Sequence, residues 1–156
     1  MKLYLVQHGE AVAKENDPDR PLSEKGITDV KRIGRALTQA RVAVERVIHS
    51  GKLRAQQTAE ILASEISPGV QLEVHDHIKP NDNPGTFDLP SENLNTDIMV
   101  VGHLPFMAKL VSLLVAGDDS LTLVAYEPGS MVCLERIEAH NWQINWMLRP
   151  ELLLNE

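Results

Sequence analysis

The sequence predicts an α/β fold: a mixed, mostly parallel central sheet with an antiparallel hairpin at the margin. Three observations predict it. The runs Lys2-Leu3-Tyr4-Leu5-Val6, Arg46-Val47-Ile48-His49 and Ile98-Met99-Val100-Val101 are short and nearly all apolar, as strands buried on both faces are. Each passes through a polar turn into a longer segment of helical periodicity, the alternation that builds a parallel sheet. The last third changes period: Met131 to Ile137 and Trp142 to Leu148 alternate every second residue, as a hairpin does.

At 156 residues the chain reads as one domain over 1–156, with 43% hydrophobic and 24% charged residues, the balance of a globular protein. No stretch approaches the roughly 18 uninterrupted apolar residues of a membrane span. The first strand follows Met1 directly, with no basic lead-in or small-residue cleavage site, so no signal peptide is expected. A single cysteine, Cys133, fits a reducing cytoplasm and a place in the core. The net charge of −7 argues against nucleic-acid binding. Its distribution is uneven: residues 1–60 hold 11 Lys and Arg against 8 Asp and Glu, and residues 61–156 hold 4 against 14. A basic first third suits an anionic ligand.

In chain order, the first strand ends at Gln7-His8-Gly9-Glu10, and Ala11 to Arg20 reads as a polar surface loop. Ser23 is placed to cap a helix whose apolar face is Ile27, Val30, Ile33 and Leu37, leaving Asp29, Lys31, Arg32 and Arg35 for solvent. The second strand, about Glu45 to His49, turns at Ser50-Gly51 into a helix from about Lys52 to Glu65. Leu53, Thr58, Ile61, Leu62 and Ile66 are its core face. Val70 to Val74 alternates like a strand, and His75 to Thr96 is irregular, a pocket rim or partial lid with a short helix around Pro90–Leu94. The third strong strand ends at Gly102-His103, and Pro105 opens a helix closed by Gly117. A short strand is expected at Leu121–Val124. In the hairpin, Trp142, Ile144, Trp146 and Leu148 are expected on one buried face.

Ligands of an open α/β sheet bind outside the carboxyl ends of its strands, so His8, Arg54 and His103 should meet in one pocket. Arg54 falls in the first turn of a helix, whose positive end disfavours a cation unless an anion sits between them. Zinc lacks a third ligand at recognisable spacing beside His8 and His103, and His75 and His77 read as exposed residues entering a loop. Ser50 and Ser130 lack a nucleophile-elbow context, and no glycine-rich nucleotide motif is present. A phosphate pocket fits the residues better. Transfer of a phosphoryl group needs several fixed donors and one in-line nucleophile. Arg54 and a protonated His103 are charged donors, Gln7 a neutral one, and a neutral His8 has the lone pair to attack phosphorus.

The segments Gln7-His8-Gly9-Glu10, Pro21-Leu22-Ser23-Glu24-Lys25-Gly26, Ser50 to Ala59 and Val101-Gly102-His103-Leu104-Pro105 together resemble the histidine phosphatase (phosphoglycerate-mutase-like) superfamily. The compact length is similar to its small SixA-type phosphohistidine phosphatases, which lack large cap insertions. The resemblance implies His8 as the phosphorylated nucleophile, and Gln7, Gly9, Arg54 and His103 around the phosphate. It implies a three-layer α/β/α sandwich with no large cap domain, no metal and no cofactor. The family's turn is usually Arg-His-Gly, and here Gln7 stands in place of the arginine. A charge-assisted contact contributes roughly 1–2 kcal/mol more than a neutral one, so the replacement costs about tenfold or more in rate unless Lys52 or Lys79 compensates. Asp82 and Glu10 are the candidate leaving-group acids. The expected reaction is hydrolysis of phosphohistidine on a protein, such as a histidine-containing phosphotransfer domain. The alternatives are a small-molecule phosphomonoesterase and a phosphate-binding module weakened by Gln7.

Overall fold

The apolar runs form the centre of one six-stranded sheet in order β3-β2-β4-β1-β5-β6. The strands are β1 (Lys2–Gln7), β2 (Arg46–His49), β3 (Leu72–Val74), β4 (Ile98–Gly102), β5 (Met131–Glu138) and β6 (Asn141–Leu148). The helices are α1 (Glu24–Gln39), α2 (Leu53–Ile66) and α3 (Phe106–Ala116). This computed structural model describes residues 1–89 and 95–154, and the helix expected around Pro90–Leu94 lies outside the described residues. β1, β4, β2 and β3 pair in parallel, and β5 and β6 add antiparallel strands beside β1. No helix among the described residues is long and apolar enough to cross a membrane.

Strand alternation divides the core between two layers. Tyr4, Val6, Val47, Met99, Val101, Met131 and Cys133 pack against α1 and α2. Leu3, Leu5, Ile48, Ile98, Val100, Val132 and Leu134 pack against α3. Buried Cys133 is therefore a core residue. The Ser23 hydroxyl caps α1 by accepting from the Gly26 amide at 3.0 Å, and left-handed Gly117 (φ 72°) closes α3.

Three local expectations are corrected. Asp29, expected in solvent, is buried, because its carboxylate is paired with Lys25 Nζ at 2.6 Å and Arg32 at 3.7 Å. Segment 121–127 forms no strand: Leu121 and Leu123 are both exposed, so alternation there has no buried face to pair for. Trp142 and Trp146 lie on opposite faces of the sheet. Between the pairs Cys133↔Trp146 and Leu134↔Ile144, β6 carries one extra residue, Asn145. Such a bulge reverses the parity of a strand. Trp142 and Met147 consequently pack on the α3 layer, while Trp146 and Leu148 join the α1 and α2 layer.

Candidate active site

Three parallel strands end in the same direction, and each hands a polar residue to its turn: His8 after β1, Ser50 after β2 and His103 after β4. The β1 turn is tightly held. His8 N donates to Gly102 O at 3.0 Å, tying it to β4, and Gly129 N donates to both Gln7 O and His8 O from the antiparallel side. Gly9 N donates to Thr58 Oγ1 at 3.0 Å, and that hydroxyl donates to Arg54 O at 2.8 Å. One threonine of α2 thus fixes the His8 turn to the turn bearing Arg54. Past it, the chain crosses the start of α1 so closely that a Cβ on Gly26 would lie 2.1 Å from Glu10 O. Only glycine admits that approach.

The structure brings His8, Arg54 and His103 together. Arg54 Nε lies 3.3 Å from His8 Nε2, and the two imidazole centroids are 5.0 Å apart. His8 Nδ1 is 2.7 Å from Gly9 O. A carbonyl only accepts, so Nδ1 carries the proton and Nε2 holds the lone pair that receives the Arg54 N–H. Ser50 Oγ lies 2.6 Å from His103 Nε2 and accepts from Lys52 N at 3.3 Å. The Ser50 contact holds the ring through Nε2 and leaves Nδ1 as its other polar atom. That atom is buried and has no partner, as is Gln7 Oε1. Buried polar atoms are almost always paired, so an unpaired nitrogen on the ring beside His8 is open to a ligand.

Charge follows from burial. Loss of hydration, then the Arg54 and Arg20 charges, pushes the His8 imidazole down to about 4, against the opposing hydrogen bond to Gly9. His103 is pushed down to about 3 by burial first, then by His8, Arg54, Lys52 and Arg20. Both imidazoles are neutral near pH 7 in the unliganded site. That suits His8 as a nucleophile, and an anion beside His103 would favour the protonated form expected from the sequence.

The remaining residues fall elsewhere. Glu10 accepts the Ser23 hydroxyl at 2.6 Å on the cap of α1. Asp82 accepts Lys79 N at 2.8 Å, and its own amide donates back to Lys79 O, so it closes a turn. Lys79 is exposed, whereas the Lys52 charge reaches His103. His75 stacks edge-on against Phe87, and among the described residues no three His, Cys, Asp or Glu gather to hold a metal. Sequence reasoning passed over Arg20, whose charge bears on His8, Arg54 and His103 alike. Its signal was faint: a lone arginine ending a loop with no periodicity.

An imidazole with a fixed lone pair, a guanidinium and a second imidazole meet at the carboxyl edge of an α/β sheet, an arrangement suited to a phosphoryl group. Residues 3–80 match the Histidine phosphatase superfamily (branch 1), and the chain belongs to that family. It is 26% identical to the phosphohistidine phosphatase SixA of Escherichia coli over 155 residues, covering 96% of this chain and 94% of that one. It is 34% identical to an uncharacterized protein of Picosynechococcus, covering 90% of each. The solved structure of the protein histidine phosphatase SixA complexed with tungstate superposes with a TM-score of 0.82 at 23% identity, covering 98% of this chain and 99% of that one. In extent and layout the chain is a small, SixA-type member without a large cap domain.

Proposed function

We propose that the protein hydrolyses phosphohistidine on another protein through a phosphohistidine intermediate on His8, without a metal or other cofactor. The observation that carries this reading is the His8 lone pair, held neutral and aimed at the Arg54 guanidinium. An incoming phosphoryl group takes the guanidinium for its own oxygens and frees Nε2. His8 Nε2 then attacks phosphorus in line, the Nε2–P bond forms, and the P–N bond to the substrate imidazole breaks. Arg54, His103 and the Gln7 carboxamide hold the equatorial oxygens. The departing imidazole keeps the electron pair and takes a proton from solvent. Water then attacks the phosphoenzyme, restoring His8 and releasing phosphate.

An imidazole leaves readily, so the reaction tolerates Asp82 and Glu10 being held in a turn and a helix cap. Likeness to SixA over nearly the whole chain supports a protein substrate. One cysteine, buried and unpaired, suits a reducing compartment such as the cytoplasm. The test is a panel of a phosphorylated histidine-containing phosphotransfer domain, small phosphate monoesters and p-nitrophenyl phosphate, with chelator present. Wild type is expected to favour the phosphoprotein and to trap an acid-labile phosphoenzyme. His8→Ala should lose both, and turnover retained in His8→Ala would end the proposal.

A further inference from the structure

We propose that Arg20 is the second guanidinium of this site, binding a phosphoryl oxygen of the substrate and supplying the charge that Gln7 does not. The inference rests on the reading of the site as one for a phosphoryl group. Three features of the loop between β1 and α1 carry it.

The first is backbone conformation. Arg20 has φ 49°, in the left-handed region that a side chain with a Cβ enters at a cost of roughly 1–2 kcal/mol. The surrounding loop enforces that conformation. Ala11 bridges Leu22, Val12 N donates to Pro21 O at 2.7 Å, and Arg20 N donates to Asp17 O at 3.1 Å.

The second is what the side chain does with its donors. Nε is spent on Val12 O at 3.2 Å, which fixes the stem. The two terminal nitrogens have no hydrogen-bond partner and no carboxylate among the described residues, although Arg20 is half-buried and seven acids lie within residues 10–45. An anchored, unpaired guanidinium is a fork ready for an oxyanion.

The third is position. Leu22 N donates to Gln57 Oε1 at 2.7 Å, and Gln57 stands one helical turn beyond Arg54 on α2. The end of the loop is therefore stapled to the helix that presents Arg54. The Arg20 charge acts on His8, Arg54 and His103, the three groups that surround the phosphoryl position. Like charges gathered beside one another without an acid are expected where an anion completes them.

The experiment is calorimetric titration of the full chain with inorganic phosphate. Arg20→Asn removes the charge while keeping a residue that tolerates the left-handed backbone, and Arg20→Gly repeats the test without that demand. Loss of a charged hydrogen bond weakens binding about tenfold or more, with Arg20→Lys between the two. In the Arg20→Asn background, Gln7→Arg should recover most of the loss. Unchanged phosphate affinity in folded Arg20→Asn and Arg20→Gly overturns the inference. Wild type that binds phosphate but forms no phosphoenzyme ends the proposed function alone, and the ratio of affinities still decides the role of Arg20. Wild type that binds no phosphate overturns both.

Discussion

The two halves of the sheet carry different work. On the parallel half, β1, β2 and β4 run together, and their turns hold His8, Ser50 and His103. On the antiparallel half, β5 runs against β1 and β6 runs back against β5, so their ends alternate between top and bottom. That half contributes backbone to the site through Gly129 and Ser130, and its side chains fill both core layers. Parallel strands collect chemistry at one edge, whereas an antiparallel pair dilutes it. The difference teaches that function here is confined to a few turns, with the hairpin acting as a wall.

Variants sharpen that contrast. The largest effect is expected on the parallel side at Arg54. Lysine keeps the charge and loses the planar fork, so Arg54→Lys should lower kcat/KM on the best substrate by about a hundredfold or more with the fold intact. On the antiparallel side, Trp142 is buried against α3 and under Arg136. Trp142→Ala should cost about 3 kcal/mol of stability in denaturant melts. Below its melting temperature kcat should stay near wild type, and a kcat loss as deep as that of Arg54→Lys would break the comparison.

The remaining effect is a pH dependence located in the parallel half. His8 and His103 are held to about 4 and about 3, below the ordinary imidazole value near 6.5. The unfolded chain therefore binds protons first as pH falls, and stability present above pH 6.5 should decline from there towards pH 3. The melting temperature against pH reads this directly. His103→Asn should flatten the slope, and an unchanged slope in both His103→Asn and His8→Asn would place the sensitivity elsewhere.

The legible parts of the molecule were those where one local signal had one physical cause. β1, β2 and β4 read as buried parallel strands because both faces are apolar, and the residues ending them had to lie at one edge. His8, Arg54 and His103 were readable for that reason. Asp29 was misread because a pattern of polar positions does not show that Lys25 and Arg32 follow it inward. The faces of β6 were misread because alternation assumes no surplus residue, and Asn145 is one. Arg20 was missed because its place depends on distant tethers, chiefly Leu22 to Gln57, that leave no periodic trace.

The contact between Gly26 and Glu10 bears on how the His8 turn responds to load. With no room for even a methyl group, and with Ser23 N and Oγ both bonded to Glu10, the turn rests directly on the amino end of a sixteen-residue rod. Any recoil of the backbone as a bond forms at His8 must move that rod and the layer packed against it. His8 is thus braced from behind by mass rather than by a flexible tether, and a methyl group at position 26 would unseat it from a distance.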